Sequence, residues 1–411
     1  ATGGVILVNP KGMLFGAEAQ INTASFSAST LDIEPLQFSN ANDVTLNNFD
    51  TNSLDSSIIN FGAISVSDTG LVSLIAPQVV NEGIISAKFG KVQLASGTSA
   101  TLDLSGDGLL NIALDENAAG IIRNTGTIEG QNIRIGGGVA SSFVNSTVNI
   151  EGFVQATGFD QDSSVDVQSS GDIFVDGTIT SSETDTSKKG GSIKILGNRI
   201  ALKDNAKVSA NGSNGGGEIL IGGNYLGYGP EPNASATVIL EGAEITADAL
   251  NSGDGGRVIV WSDDYTNFAG SITAKGSDKG IGGFVETSSK DNLQVSGYVN
   301  AVGGDSGGTW LLDPRNVTIT TTSSGGPDQA QLFTPTADNA TVKASTIVTT
   351  LSDGNDVIIT TRNSGSQDGN IIVTSDIAST ASTDREIRLT AANDIYIAAD
   401  ISSSAKKLNI K

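Results

Sequence analysis

The chain has 411 residues, a formal charge of −22, and neither Cys nor His. Without those two residue types there is no disulfide framework, no Cys-ligated zinc or iron–sulfur site, and no imidazole for a triad, a zinc hydrolase or a haem. The charge argues against nucleic acid or an anionic membrane as partner. The longest apolar runs, such as 5–8 and 71–76, fall far short of the roughly 18 residues of a membrane span.

In chain order the sequence alternates short apolar segments with Gly, Asn, Asp and Ser. Segments 58–64, 71–75, 91–94, 133–135, 192–196, 218–221, 258–261, 317–320, 357–361 and 371–374 read as strands bounded by turn formers. Runs of helix formers are short and interrupted, so no amphipathic helix is expected.

Repeats set the architecture. Asn60-Phe-Gly62-Ala-Ile64 returns as Asn81-Glu-Gly83-Ile-Ile85 and Asn124-Thr-Gly126-Thr-Ile128, at offsets of 21 and 43. Farther on, Gly-Gly before a strand recurs at Gly190, Gly216, Gly255, Gly282 and Gly307, at offsets of 26, 39, 27 and 25. The long interval holds a Gly-, Pro- and Tyr-rich insertion near 222–235. A period of 20–27 residues with several short strands predicts an all-β solenoid: a right-handed parallel β-helix of roughly 20 coils with extra-helical loops. Four segments are expected: β-helix over 1–130, continuing β-helix over 131–320, a linker or long loop over 321–341, and further repeats over 342–411.

The opening Val5-Ile-Leu-Val-Asn9-Pro10-Lys11-Gly12-Met-Leu-Phe-Gly16 resembles the Asn-Pro-Asn-Gly segment of the haemagglutination-activity domain. That domain is the secretion module of two-partner-secretion exoproteins, the filamentous-haemagglutinin-like adhesins. The resemblance continues through residues 19–22, 28–33 and 70–83. It extends to Gly255-Gly-Arg-Val-Ile-Val-Trp261-Ser-Asp, Gly282-Gly-Phe-Val-Glu286-Thr-Ser288 and Gly308-Thr-Trp310-Leu-Leu-Asp313-Pro314. It implies that 1–130 is secretion-domain-like and begins inside that domain, with Asn9, Pro10 and Gly12 as its motif and Lys11 replacing the usual Asn. It also implies export through an outer-membrane transporter of a Gram-negative bacterium, a secreted, surface-associated product, and cleavage in some members, for which 325–335 is the place to look.

Candidate chemistry is sparse. Gly304-Asp305-Ser306-Gly307-Gly308 spells a serine-nucleophile neighbourhood, but the chain has no His to act as base, and Gly307-Gly308 belongs to the coil repeat. Asp263 with Asp264, Asp103 with Asp107, and Asp353 with Asp356 are the carboxylate pairs that could serve polysaccharide cleavage or calcium. Among 45 acids they read as turn residues. No catalytic residue and no cofactor is assigned, calcium being the one candidate ion. Trp261 and Trp310 read as core. Tyr225, Tyr228, Pro230 and Pro232 form a possible partner-binding loop, against the plainer reading of a self-packed loop.

The expected function is therefore a non-enzymatic structural and adhesive exoprotein, an acidic rod binding a host or neighbouring-cell receptor or glycan. The alternatives are a self-assembling filament or sheath subunit and, further off, a secreted polysaccharide lyase or hydrolase.

Overall fold

The computed structural model describes residues 3–33, 43–47, 56–97, 99–103, 109–113, 120–137, 146–158, 162–182, 185, 187–322, 331–362, 367–404 and 406–410. The chain forms two compact units: Ala1–Ser181 with Ile193–Asn198, and Ser182–Ser192 with Arg199–Lys411. Each is a parallel β-helix, the architecture the repeats predict.

In the first unit three parallel ladders make the faces of each coil. One runs through Gly4–Val8, Ser25–Ser29, Leu71–Ala76 and on to Ser164–Ser169. A second joins Gln20–Thr23, Ala63–Val66 and Phe153–Ala156, with Thr178–Thr180 beyond. The third stacks Met13–Phe15, Ser57–Asn60, Gln78–Asn81, Ile121–Asn124, Thr147–Ile150 and Asp172–Val175. Along the strands of the third ladder burial alternates with period two. Inward Ile58, Val79, Ile122, Val148 and Ile173 therefore meet in register and are fully buried. Outside the helix, Asp32–Ile33, Asp43–Asn47, Ser99–Asp103 and Leu109–Ala113 form a small antiparallel sheet.

The Asn-x-Gly repeat has a physical explanation at each position. Asn60, Asn81 and Asn124 are fully buried at one corner. Asn60 Nδ2 donates to Asn81 Oδ1 at 2.8 Å, and Asn81 Nδ2 donates to Asn124 Oδ1 at 2.8 Å. The amides thus satisfy one another inside a dry corner. Two residues on, the glycine lets coils touch: a Cβ on Gly83 would collide with the carbonyl of Gly62, and one on Gly126 with that of Gly83. The Gly-Gly repeat works alike. A Cβ on Gly217, Gly256, Gly283 or Gly308 would strike the carbonyl of Gly191, Gly217, Gly256 or Gly283 in turn.

The second unit keeps the three-ladder plan, with Glu218–Ile221, Arg257–Val260, Phe284–Thr287, Thr309–Leu312, Asp356–Thr360 and Arg385–Thr390 along one face. Trp261 and Trp310 are buried, 1 % and 0 % exposed. A second face reads, in spatial order, Arg199–Leu202, Ala236–Ile239, Tyr265–Phe268, Asn292–Val295, Ala340–Lys343, Val317–Thr320, Ile371–Val373 and Ile395–Ile397. Here chain order breaks: Ala340–Lys343 lies between two strands that precede it in sequence. The strand Ala340–Lys343 thus sits one rung behind Val317–Thr320, and residues 323–330 lie outside the described residues.

Two expectations are corrected. This face has one strand per coil, six in the first unit and eight in the second among the described residues, so coils are fewer than roughly 20. Insertions such as the antiparallel sheet lengthen the period. There is also a helix, Ala344–Ser352, packed between Tyr298–Asn300 and Ile377–Ser379 where a third-face strand would stand. Its Ala344, Ile347 and Leu351 face inward, while Thr346 and Thr350 donate to the carbonyls of Ser296 and Val299 at 3.1 and 3.0 Å. Two of its threonines therefore meet carbonyls that a strand ladder would otherwise engage, and packing outweighs a Thr-rich segment's weak helix propensity.

Candidate functional sites

The N-terminal motif folds as a tight turn between Gly4–Val8 and Met13–Phe15. Gly12 N–H donates to Asn9 O at 3.0 Å. The Asn9 side chain locks the turn from inside, Oδ1 accepting from Lys11 N–H at 3.1 Å and Nδ2 donating to Gly12 O at 2.8 Å. Pro10 pre-sets the first central position. Gly12 has φ +103, and a Cβ there would lie 2.9 Å from Ser57 O. Lys11 occupies the second central position with no positive φ. Nothing in the backbone therefore demands the Asn that the resemblance leads one to expect at that position.

The insertion 222–235 is a loop with a single 3-10 turn, Tyr225–Gly227. Four glycines and Leu226, at φ +55, give it its shape. It is pinned from beneath. The buried Glu286 accepts from Leu226 N–H with both oxygens at 3.2 Å. Arg362 Nη2 donates to Leu226 O at 3.1 Å and pairs with Asp313, itself 4 % exposed. The same guanidinium lies 4.9 Å from the Trp261 ring centre. Asp263 accepts from Trp261 Nε1 at 3.3 Å and from Asn233 Nδ2 at 3.1 Å, and Asn233 reaches Gly227 O at 3.1 Å. Burial pushes the Glu286 carboxyl up to about 7. The Leu226 and Ser288 hydrogen bonds oppose that, Asp313 adds to it, and Arg362 offsets it. Tyr225 sits edge-on to Phe284 at 5.8 Å. Tyr225 is 42 % and Tyr228 70 % exposed, and Pro230 and Pro232 are exposed. The loop is thus both self-packed and able to present Tyr228 outward.

The other candidate residues fall apart in space or serve the coil. Ser306 Oγ donates to Gly307 O at 3.3 Å, and its carbonyl accepts from Gly282 and Gly303 N–H at 2.9 and 3.1 Å, a coil corner. Asp353 accepts from Tyr298 OH at 2.6 Å. Asp356 accepts from Glu386 N–H at 2.8 Å and faces Arg385 at 3.7 Å. Asp103 belongs to the antiparallel sheet, and Asp107 lies outside the described residues. Among the described residues no group of three acids is gathered to hold a metal ion, and no helix is long and apolar enough to cross a membrane.

The sequence alone gives Glu286, Asp313 and Arg362 no role. Two of them lie in phrases that carry the family resemblance, but contacts spanning 60 and 136 residues leave no local signal.

A parallel β-helix opened by an Asn9-Pro10-Lys11-Gly12 turn defines a class, the secretion modules of large exoproteins. Residues 1–181 match the family model of the TPS, or two-partner-secretion, secretion domain. The solved HMW1 secretion domain from Haemophilus influenzae is similar at a TM-score of 0.63 and 30% identity, over 76% of this chain and 80% of that one. The heme/hemopexin-binding protein of Haemophilus influenzae is 36% identical over 141 residues, 33% of this chain. The alignment spans 15% of the length of that relative. The chain belongs to the two-partner-secretion exoproteins. Such proteins are secreted by Gram-negative bacteria with an outer-membrane TpsB transporter as partner.

Proposed function

We propose that the chain is a non-enzymatic, surface-associated exoprotein whose first unit directs export and whose second unit serves attachment to a receptor or glycan on a host or neighbouring cell. One observation carries this division: the family match and the main segment of the first compact unit both end at Ser181. Asn9, Pro10 and Gly12 belong to the part that the transporter would read. The second unit is itself a β-helix and clamps an aromatic loop on its surface. Loops held by a rigid scaffold commonly carry binding residues. The segment shared with the heme/hemopexin-binding protein is 15% of that relative's length, so its ligand is not carried over to this chain.

Attachment is tested by coating beads with the purified chain and counting those retained on epithelial and bacterial lawns, with Tyr228→Ala as comparison. Retention that saturates and falls with the variant supports the reading. Retention equal to that of uncoated beads refutes it, and end-to-end polymers seen by electron microscopy in the same preparation would move the assignment to a filament subunit.

A further inference from the structure

The second unit contains a cleft of about 580 Å³ that none of the family phrases accounts for. Its floor is the corner where successive coils enter one face. Ala236, Tyr265 and Asn292 stack in register there, with Arg199 on the rung before. Segment 333–338 forms the opposite wall. It is held by the Arg199 guanidinium, 5.0 Å from the Phe333 ring centre, and by Asn292 Nδ2, which donates to Ala337 O at 2.7 Å. Arg315, ion-paired with Asp291, and Gln367, donating to Asp338 O at 3.1 Å, close the ends. All lining groups belong to this unit.

Two features point to a ligand. The volume falls in the range of small-molecule sites, about 300–1000 Å³. The lining mixes apolar ring surface from Phe333 and Pro335 with planar polar groups from Asp264, Asn292 and Gln367.

Charge selects the ligand class. Asp264, Asp291 and Asp338 outnumber Arg199 and Arg315, so the cleft is net acidic and disfavours an anion. Arg315 is committed to Asp291, and the Arg199 guanidinium lies against Phe333. A neutral ligand rich in hydroxyls fits: it donates to Asp264 and lays its C–H faces on Phe333. We infer that this cleft binds a neutral saccharide. The inference names a ligand for the attachment reading and rests on that reading only for its biological setting.

The test is titration of the full chain with maltotriose, cellotriose and chitotriose, and with 3′-sialyllactose as the anionic comparator, followed by saturation-transfer NMR and calorimetry. At least one neutral trisaccharide should bind saturably. Phe333→Ala and Asp264→Ala should weaken it at least tenfold, while Leu250→Ala, at an exposed residue outside the cleft, leaves it unchanged. Circular dichroism checks folding. Should Phe333→Ala not fold, Thr334→Trp, which fills the cleft from its lining, takes its place. The inference is overturned if no neutral sugar saturates, if only the sialylated sugar binds, or if binding survives the cleft variants. Sugar binding without bead retention would leave the cleft assignment standing and remove attachment.

Discussion

Replacing Asn81 with Ala probes the corner that the Asn-x-Gly repeat builds. Asn81 is fully buried and bonded to Asn60 on one side and Asn124 on the other, both at 2.8 Å. Truncation takes the donor from Asn124 Oδ1 and the acceptor from Asn60 Nδ2, which keeps only Gly62 O at 3.3 Å. A buried group left unsatisfied costs about 1–3 kcal/mol, and the small cavity adds to it, so a loss of about 2–4 kcal/mol is expected. Asn81→Leu should cost as much, since filling the volume restores no hydrogen bond. Asn124→Ala should cost only about 1 kcal/mol, because Asn81 Nδ2 retains Gly83 O and Thr127 O, each at 3.4 Å. Native-state hydrogen exchange reads this locally, at the amides of Ile84 and Thr127, which bond the carbonyls of Gly62 and Gly83. At about 1.4 kcal/mol per decade, Asn81→Ala should speed their exchange about 30- to 1000-fold. Exchange unchanged in the Ala and Leu variants, or faster in Asn124→Ala than in Asn81→Ala, would refute the ladder as a source of stability.

Other expectations follow from the two sites. Gly12→Ala forces a side chain to φ +103 beside Ser57 O and should cost at least about 1 kcal/mol, seen as faster exchange of the Gly12 amide and reduced export. Arg362→Ala leaves Asp313 buried beside Glu286 with its cation gone. A loss of about 3–5 kcal/mol and rapid proteolysis within 222–235 are expected, against a resistant parent. Glu286 is pushed up from 4.5 to about 7 in the fold, so the native state binds the extra proton between those values. Stability from this group is therefore full below about 4.5 and is lost as pH rises toward 7. Glu286→Gln should remove that slope, and parallel melting-temperature profiles for parent and variant would contradict it.

Much of the fold is legible because a solenoid repeats its physics. Asn60, Asn81 and Asn124 recur where amides must pair, and glycines recur where one coil's backbone presses on the next. Trp261 and Trp310 follow Gly-Gly at positions that point inward. What stays hidden is whatever breaks the repeat. The Thr-rich stretch 344–352 has little local reason to be helical until carbonyls of the preceding coil need donors. Ala340–Lys343 reads as an ordinary next strand, and only its neighbours reveal that it fills a gap behind Val317–Thr320. The N-terminal turn was visible, because Asn-Pro-x-Gly is a local instruction. The Glu286–Arg362–Asp313 clamp and the cleft around Asn292 depend on which coil lies beside which loop, information that no local window carries.

Export is the most direct test of the account. The chain, preceded by a cleavable export signal, is expressed in a Gram-negative host with and without a co-expressed TpsB transporter, and the medium is assayed. Recovery outside the cell should require the transporter and fall sharply when Asn9 or Gly12 is replaced by Ala. Release without the transporter, or release indifferent to both substitutions and to deletion of residues 1–181, would contradict the assignment of the first unit as the export module.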